Sequence, residues 1–271
     1  MNTSRLITIG ARINSSRKTI ARAIEERNGN LIQQEARMQR DAGVSYIDVN
    51  AGAFVGREVE YLPWLVKVVQ AAVDTPLWID SADPESVEAA LRIHRGTAVI
   101  NSVTFESSRL NGLLPLAVKY SCGVVALTID SIQIPEQAEK KLDIAIQLVD
   151  TLTTAGIERE KIFIDPVVLP VSVSPNAGKE TLRAITMIRE RLAGIHIVAG
   201  VGNVSFQLPQ RSLLEATYLV MAMVAGIDCA FIDPCNSAIT TPLTAAEALL
   251  GMDEYCIRFI NAHREGRLWK K

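Results

Sequence analysis

Short apolar runs recur along the chain, and they keep stopping on an Asp or Asn: YIDVN (Asp48, Asn50), LWID (Asp80), AVIN (Asn101), VALTID (Asp130), IFID (Asp165), VAGVGN (Asn203) and AFID (Asp233). Strands covered on both faces of a parallel sheet read as unbroken Val, Ile and Leu, without the alternation of a half-wet strand. Eight segments fit that pattern, at residues 6–10, 46–50, 77–80, 98–101, 124–128, 162–165, 195–200 and 229–233. Between them the period lengthens to that of helices, at 31–42, 58–73, 84–93, 108–120, 135–155, 179–192, 212–225 and 242–250. In 58–73, Val59, Leu62, Val66, Val69 and Val73 step by threes and fours and predict a single apolar stripe. Asp83 before Pro84-Glu85, and Thr241 before Pro242, read as caps ahead of a first-turn proline. Gly43, Gly156 and Gly226 each follow an alanine where a helix should end.

Eight strands alternating with helices, with no linker, repeat or low-complexity tract, predict an α/β chain forming a single (β/α)8 TIM barrel, one domain over residues 1–271. In that architecture the carboxyl ends of the strands form the active face, so Asn50, Asp80, Asn101, Asp165 and Asn203 should converge at one mouth, a polar ring with few basic groups. The composition, 48% hydrophobic with 5% aromatic, predicts a mainly aliphatic core. A formal net charge of -2 supplies no basic field for nucleic acid or an anionic membrane. The longest apolar stretch, 219–227, is about half of a membrane span, and residues 1–14 lack a signal-peptide pattern, so a cytoplasmic location is expected.

Cys122, Cys229, Cys235 and Cys256 show no CxxC or zinc spacing and are expected as free thiols. His94, His196 and His263 stand apart in the sequence and read as structural or exposed, which argues against a Ser-His-Asp hydrolase and a His-ligated metal. No metal site is expected. The run ATYLVMAMVA, residues 216–225, is apolar all round. It predicts either a homodimer interface or a helix covered by a loop or the C-terminal tail, and the former is favoured.

An Asp after a strand is often only the cap of the next helix. Here Ser81 or Asp83 is better placed than Asp80 to cap, and Asp165 runs into Pro-Val-Val-Leu-Pro, so Asp80 and Asp165 are free for other work. Carboxylates could hold a divalent cation. The mixture of Asp with Asn suits a planar nitrogen heterocycle better: a 2-amino-4-oxo ring offers adjacent N–H donors to a carboxylate, and a carboxamide serves the remaining nitrogens and carbonyl.

The segments GARIN (residues 10–14), IDVNAG (47–52), IDS (79–81), INS (100–102), ALT (126–128), IDPVVLP (164–170) and GNVSFQLPQR (202–211) resemble, in order and spacing, the pterin-binding methyltransferases. The resemblance runs over nearly the whole chain. It is nearest to the methyltetrahydrofolate:corrinoid (corrinoid/iron-sulfur protein) methyltransferases, and extends to the folate domain of cobalamin-dependent methionine synthase and, more distantly, dihydropteroate synthase.

The resemblance implies that Asp80, Asn101 and Asp165 hold the pterin ring; of the other strand-end residues, Asn50 is expected to join the ligand-binding set, and Asn50 and Asp48 to stand as rim or supporting groups. It implies that Asn203 approaches N5, so that Asn203 and Asp165 carry the catalysis. The implied substrates are tetrahydrofolate or 5-methyltetrahydrofolate and a cobalamin or other corrinoid on a separate protein, since the chain has no DxHxxG signature; the direction of transfer is left open. Asp130 and Asp233 are expected to do no more than close their strands. Three features depart from the family: Ala11 replaces the glutamate of GERIN, Ser131-Ile132-Gln133 replaces a polar residue and glycine before Ile134-Pro135, and Phe206 is either a packing residue or a pterin-edge contact. A dihydropteroate synthase, disfavoured by the absence of a lysine in the GNVSF loop and of an Arg-x-His near the end, and a non-catalytic folate-binding module are the alternatives.

Overall fold

The computed structural model describes residues 5–130 and 133–268, which leaves Ser131 and Ile132 of the altered loop outside the described residues. Eight parallel strands, β1 (Ile7–Asn14), β2 (Tyr46–Asn50), β3 (Leu77–Asp80), β4 (Val99–Val103), β5 (Gly123–Leu127), β6 (Ile162–Asp165), β7 (His196–Ala199) and β8 (Cys229–Ile232), pair in chain order and close into a barrel. Around it run α1 (Lys18–Glu25), α2 (Gly29–Asp41), α3 (Glu58–Gln70), α4 (Pro84–Leu91), α5 (Ser107–Lys119), α6 (Ala138–Thr154), α7 (Ala177–Arg191), α8 (Arg211–Ala225), α9 (Ser237–Leu249) and α10 (Ile257–Arg264). This is the predicted (β/α)8 TIM barrel.

Strand parity divides the core in two. Ile47, Val49, Ile79, Ile100, Val124, Ile164 and Ile197 face outward and pack under the helices in an aliphatic shell. The opposite parity fills the barrel itself with Ile9, Trp78, Val99, Val125, Phe163, Val198 and Cys229. Here aromatic rings join the aliphatic side chains: Trp78 meets Tyr46, Phe163 and Phe231 edge-on at centroid distances of 5.8, 5.0 and 5.2 Å. These rings form a solid floor below the mouth.

Two register shifts matter for the site. Between Gly10 and Ile13, β1 carries one more residue than the paired stretch of β2. A β-bulge of this kind re-aims the side chains beside it. Gly10 permits it, because a Cβ there would lie 2.4 Å from Oε1 of the buried Gln39, which accepts the Arg12 backbone N–H at 3.1 Å. A second shift, between Asn101 and Val103 against β5, lets both Asn101 and Ser102 reach the mouth.

Several sequence expectations change. β1 runs to Asn14, and α1, which buries Ile20, Ala23 and Ile24, lies in a stretch where no helix was predicted. Val59 is 38% exposed in the first turn of α3; the buried face of the helix is Tyr61, Leu62, Leu65, Val66, Val69 and Gln70. Thr241-Pro242 does not start α9: Asn236 caps it through the Ala238 N–H, and Pro242 sits inside. Asp83 does cap α4, accepting from the Ser86 N–H at 3.0 Å, and Gly43, Gly156 and Gly226 take positive φ at helix ends as predicted. No helix among the described residues is long and apolar enough to cross a membrane.

Candidate functional site

The parity that turns Tyr46, Trp78, Val99 and Phe163 into the barrel turns Asp48, Asp80, Asn101 and Asp165 inward two residues later, Asp48 level with Trp78 and Asp80 one tier above it. These four polar groups line a cavity of about 700 Å³ at the carboxyl ends of the strands. Asn203, from the short helical turn Val201–Ser205 after β7, overhangs it from an exposed position, and its amide hydrogen-bonds none of the described residues. The structure thus brings together Asp80, Asn101, Asp165 and Asn203.

Asn50 stands one step back and does not line the cavity. Its amide donates to Asp80 Oδ2 at 2.9 Å, while its carbonyl accepts from Ser15 Oγ at 2.8 Å and the Gly52 N–H at 3.0 Å. With both ends engaged, it can orient Asp80 but has no free polar atom for a ligand. Asp48, expected at the rim or as a supporting group, lies deeper and supports Asn101. It is 2% exposed on the cavity floor and accepts from Asn101 Nδ2 at 3.2 Å.

The electrostatics follow from depth. Burial pushes Asp80 up to about 6, opposed by the Asn50 amide and the Arg109 charge and reinforced by Glu58. Burial, first, and the neighbouring Asp80 charge raise Asp48 well above the usual carboxylate range. Burial also raises Asp165 to about 6, against the pull of the Val167 N–H, which donates to Asp165 Oδ1 at 2.7 Å, and of the Lys141 charge.

The rim is more basic than the sequence suggested. Arg12, Arg17, Arg109 and Arg211 all border the cavity. The β1 bulge aims Arg12 across the mouth, where Nη1 donates to both oxygens of Asp233 at 2.9 Å and Nε to Glu35 at 2.7 Å. Asp233 therefore does more than close β8. Arg211 donates to the Ser205 hydroxyl at 3.0 Å and the Gly202 carbonyl at 2.9 Å, fixing the turn that carries Asn203. Arg109 makes no hydrogen bond with the described residues and acts on Asp80 through its charge. Sequence reasoning missed these cations because each lies off the strand-end pattern, although Arg12 and Arg211 are within the GARIN and GNVSFQLPQR motifs.

Ala11 lines the cavity, whereas Phe206 is 52% exposed and does not, so neither of its expected roles fits; its carbonyl accepts from Ser172 Oγ at 2.8 Å. Asp130 Oδ1 accepts from the Gln133 N–H at 2.6 Å. At the opposite end of the barrel His196 does not stand alone: Nδ1 lies 3.0 Å from Asp228 Oδ2, its ring stacks on Phe163, and Cys229 completes a group with metal-ligand atom types. The negative charge of Asp228 is already met there by Arg189 Nη2 at 3.1 Å and by the Ile197 N–H at 2.8 Å, a donor set that suits a structural network better than a cation. Cys122, Cys229, Cys235 and Cys256 are free thiols.

Known proteins match this chain along most of its length. Residues 10–233 match the family described as pterin binding enzyme. A methylcorrinoid:tetrahydrofolate methyltransferase from Eubacterium limosum is 35% identical over 265 residues, covering 97% of this chain and 98% of that protein. Methionine synthase from Mycobacterium tuberculosis is 29% identical over 192 residues, 66% of this chain but 16% of that much longer protein. Among solved structures, dihydropteroate synthase from Xanthomonas albilineans with 4-aminobenzoic acid superposes with a TM-score of 0.68, covering 92% of this chain and 94% of that one at 17% identity, a likeness of fold.

Proposed function

The chain belongs to the pterin-binding enzymes, and from that premise we propose that it moves a methyl group between the cobalt of a corrinoid on a separate protein and N5 of tetrahydrofolate. The name of the Eubacterium limosum relative reads from methylcorrinoid to tetrahydrofolate, and we adopt that direction for residues 1–271 acting as one domain. The observation that carries the reading is the tiered mouth: half-buried Asp80 and Asn101 with buried Asp165 around one cavity, and the unengaged Asn203 amide above them. Ionised Asp80 and Asp165 accept the amino and ring N–H donors of a pterin, and Asn101 serves its acceptor edge. The solid aromatic floor sets the depth of the ring. The arginine rim suits the anionic tail of a folate, which leaves N5 directed toward the open mouth.

When docked, the corrinoid supplies a cobalt–carbon bond that breaks with its electron pair left on the metal. The protein's part lies at N5. An attacking amine must present its lone pair and then lose its proton, and in the reverse direction the leaving nitrogen must gain one. Asn203 can donate to or accept from N5 as this charge changes, and Asp165, with its carboxyl near 6, can relay a proton through water at physiological pH. Asn203→Ala should therefore lower turnover at saturating tetrahydrofolate by roughly tenfold or more, the scale of one lost charge-responsive hydrogen bond. Asp80→Asn should mainly raise KM. Equal losses of kcat in both variants would contradict this division of roles. Finally, we propose that the enzyme is a homodimer and works in the cytoplasm. The apolar face of α8 supports the former: Met221 and Val224 are 49% and 69% exposed and border a groove of about 930 Å³ shared with α7.

A further inference from the structure

Lys141, on α6, is completely buried, yet no carboxylate among the described residues lies within ion-pairing distance of it. An ammonium in such a place needs a reason. Its Nζ donates to two backbone carbonyls of the segment after β6, those of Pro166 and, at 2.9 Å, Val167. Val167 has φ of 55°, in the left-handed region that a β-branched residue avoids, and it lines the cavity. The N–H of the same residue donates to Asp165 Oδ1. Lys141 and Asp165 thus grip Val167 from its two ends, one at the C=O and the other at the N–H.

We propose that Lys141 is a positioning residue for pterin binding: by holding Val167 in the left-handed conformation it presents the Val167 N–H to one oxygen of Asp165, which leaves the other oxygen aimed into the cavity for the ligand. Without the lysine, Val167 relaxes toward negative φ, its N–H leaves Asp165, and the carboxylate loses its orientation. The burial of Lys141, which lowers its own pKa to about 8, is the cost of placing a donor beneath a segment that offers only carbonyls. This inference rests on the reading of Asp165 as a pterin acceptor.

The test is a double-mutant cycle on tetrahydrofolate affinity, with melting temperature recorded for every variant. K141M removes the donor at similar volume, K141Q retains a shorter one, and V167G accepts positive φ without strain. K141M should weaken binding roughly tenfold in the natural background, the effect of one mis-set charge-assisted contact, and less than about threefold in the V167G background, with K141Q between. A merely structural lysine would cost the same in both backgrounds. Binding by K141M within twofold of the wild type, or a loss that V167G does not suppress, would overturn the clamp. If K141M fails to fold, K141Q and K141Q/V167G are judged by the same criterion. Wild-type protein that does not bind tetrahydrofolate would instead overturn the reading of Asp165.

Discussion

Of the carboxyls around the cavity, Asp48, Asp80 and Asp165 stand on the barrel strands, and their depths assign them different work. Asp80 and Asp165 have their folded-state pKa raised from 3.8 to about 6 by burial, so the stability they contribute is full below about pH 4 and is lost as pH rises through 6. Ligand binding has the opposite sign, because a carboxylate that accepts two pterin N–H groups must be ionised. Tetrahydrofolate affinity measured by calorimetry from about pH 5 to 7.5 should rise through 6 and then level off. Asp80→Asn should flatten part of that rise. Asp48→Asn should change the profile less than Asp80→Asn does, since Asp48 lies beneath the groups that meet the ligand; an affinity that falls with pH would mean that the acids bind as neutral donors. Asp48 and Asp80 were both visible in the sequence as strand-end acids. Their difference in depth was not, because it depends on where the Trp78 floor lies.

At the level of elements, strand parity and helix capping decide which acids are available. Asp83 caps α4, and Ser81 Oγ accepts the Asp83 N–H at 3.0 Å, so the turn is satisfied without Asp80. Asp83→Ala should cost about 1 kcal/mol in denaturant unfolding and leave tetrahydrofolate affinity unchanged, the converse of Asp80→Asn. A loss of affinity in D83A matching that of D80N would mean that the cap and the site are one unit. Strand and helix alternation was legible because fully buried strands leave apolar runs, and the strand-end residues Asp80, Asn101 and Asp165 followed from it. What escaped were features with long-range causes. The β1 bulge brings Gln39 of α2 against Gly10, and Arg12 within it is held by Glu35 and Asp233. Lys141 reads in sequence as one more charge on a helix, and only the fold places it beneath Pro166 and Val167. The start of α9 was misread because Pro242 mimics a first-turn proline while Asn236, five residues earlier than the predicted cap, does the capping.

Over the whole molecule the barrel has two surfaces with different demands. On the proposed reading the open mouth admits a folate and then a cobalt held by another protein, and the Asn203 turn there is exposed and braced by Arg211. The flank of α7 and α8 has exposed apolar side chains that a lone barrel has no use for. Val224→Arg should convert a dimer seen by size-exclusion chromatography with light scattering into a monomer while leaving tetrahydrofolate binding in place; a wild-type monomer at micromolar concentration would remove the proposed dimer. The central claim concerns the mouth, and methyl exchange tests it most directly. Mixed with 5-methyltetrahydrofolate and photoreduced cobalamin, the enzyme should make the Co(I) absorbance decay into that of methylcobalamin much faster than without protein. The reverse mixture, methylcobalamin with tetrahydrofolate, should return 5-methyltetrahydrofolate, and Asn203→Ala should slow both. Tight folate binding with no acceleration in either direction would contradict the account and leave a folate-binding module in its place.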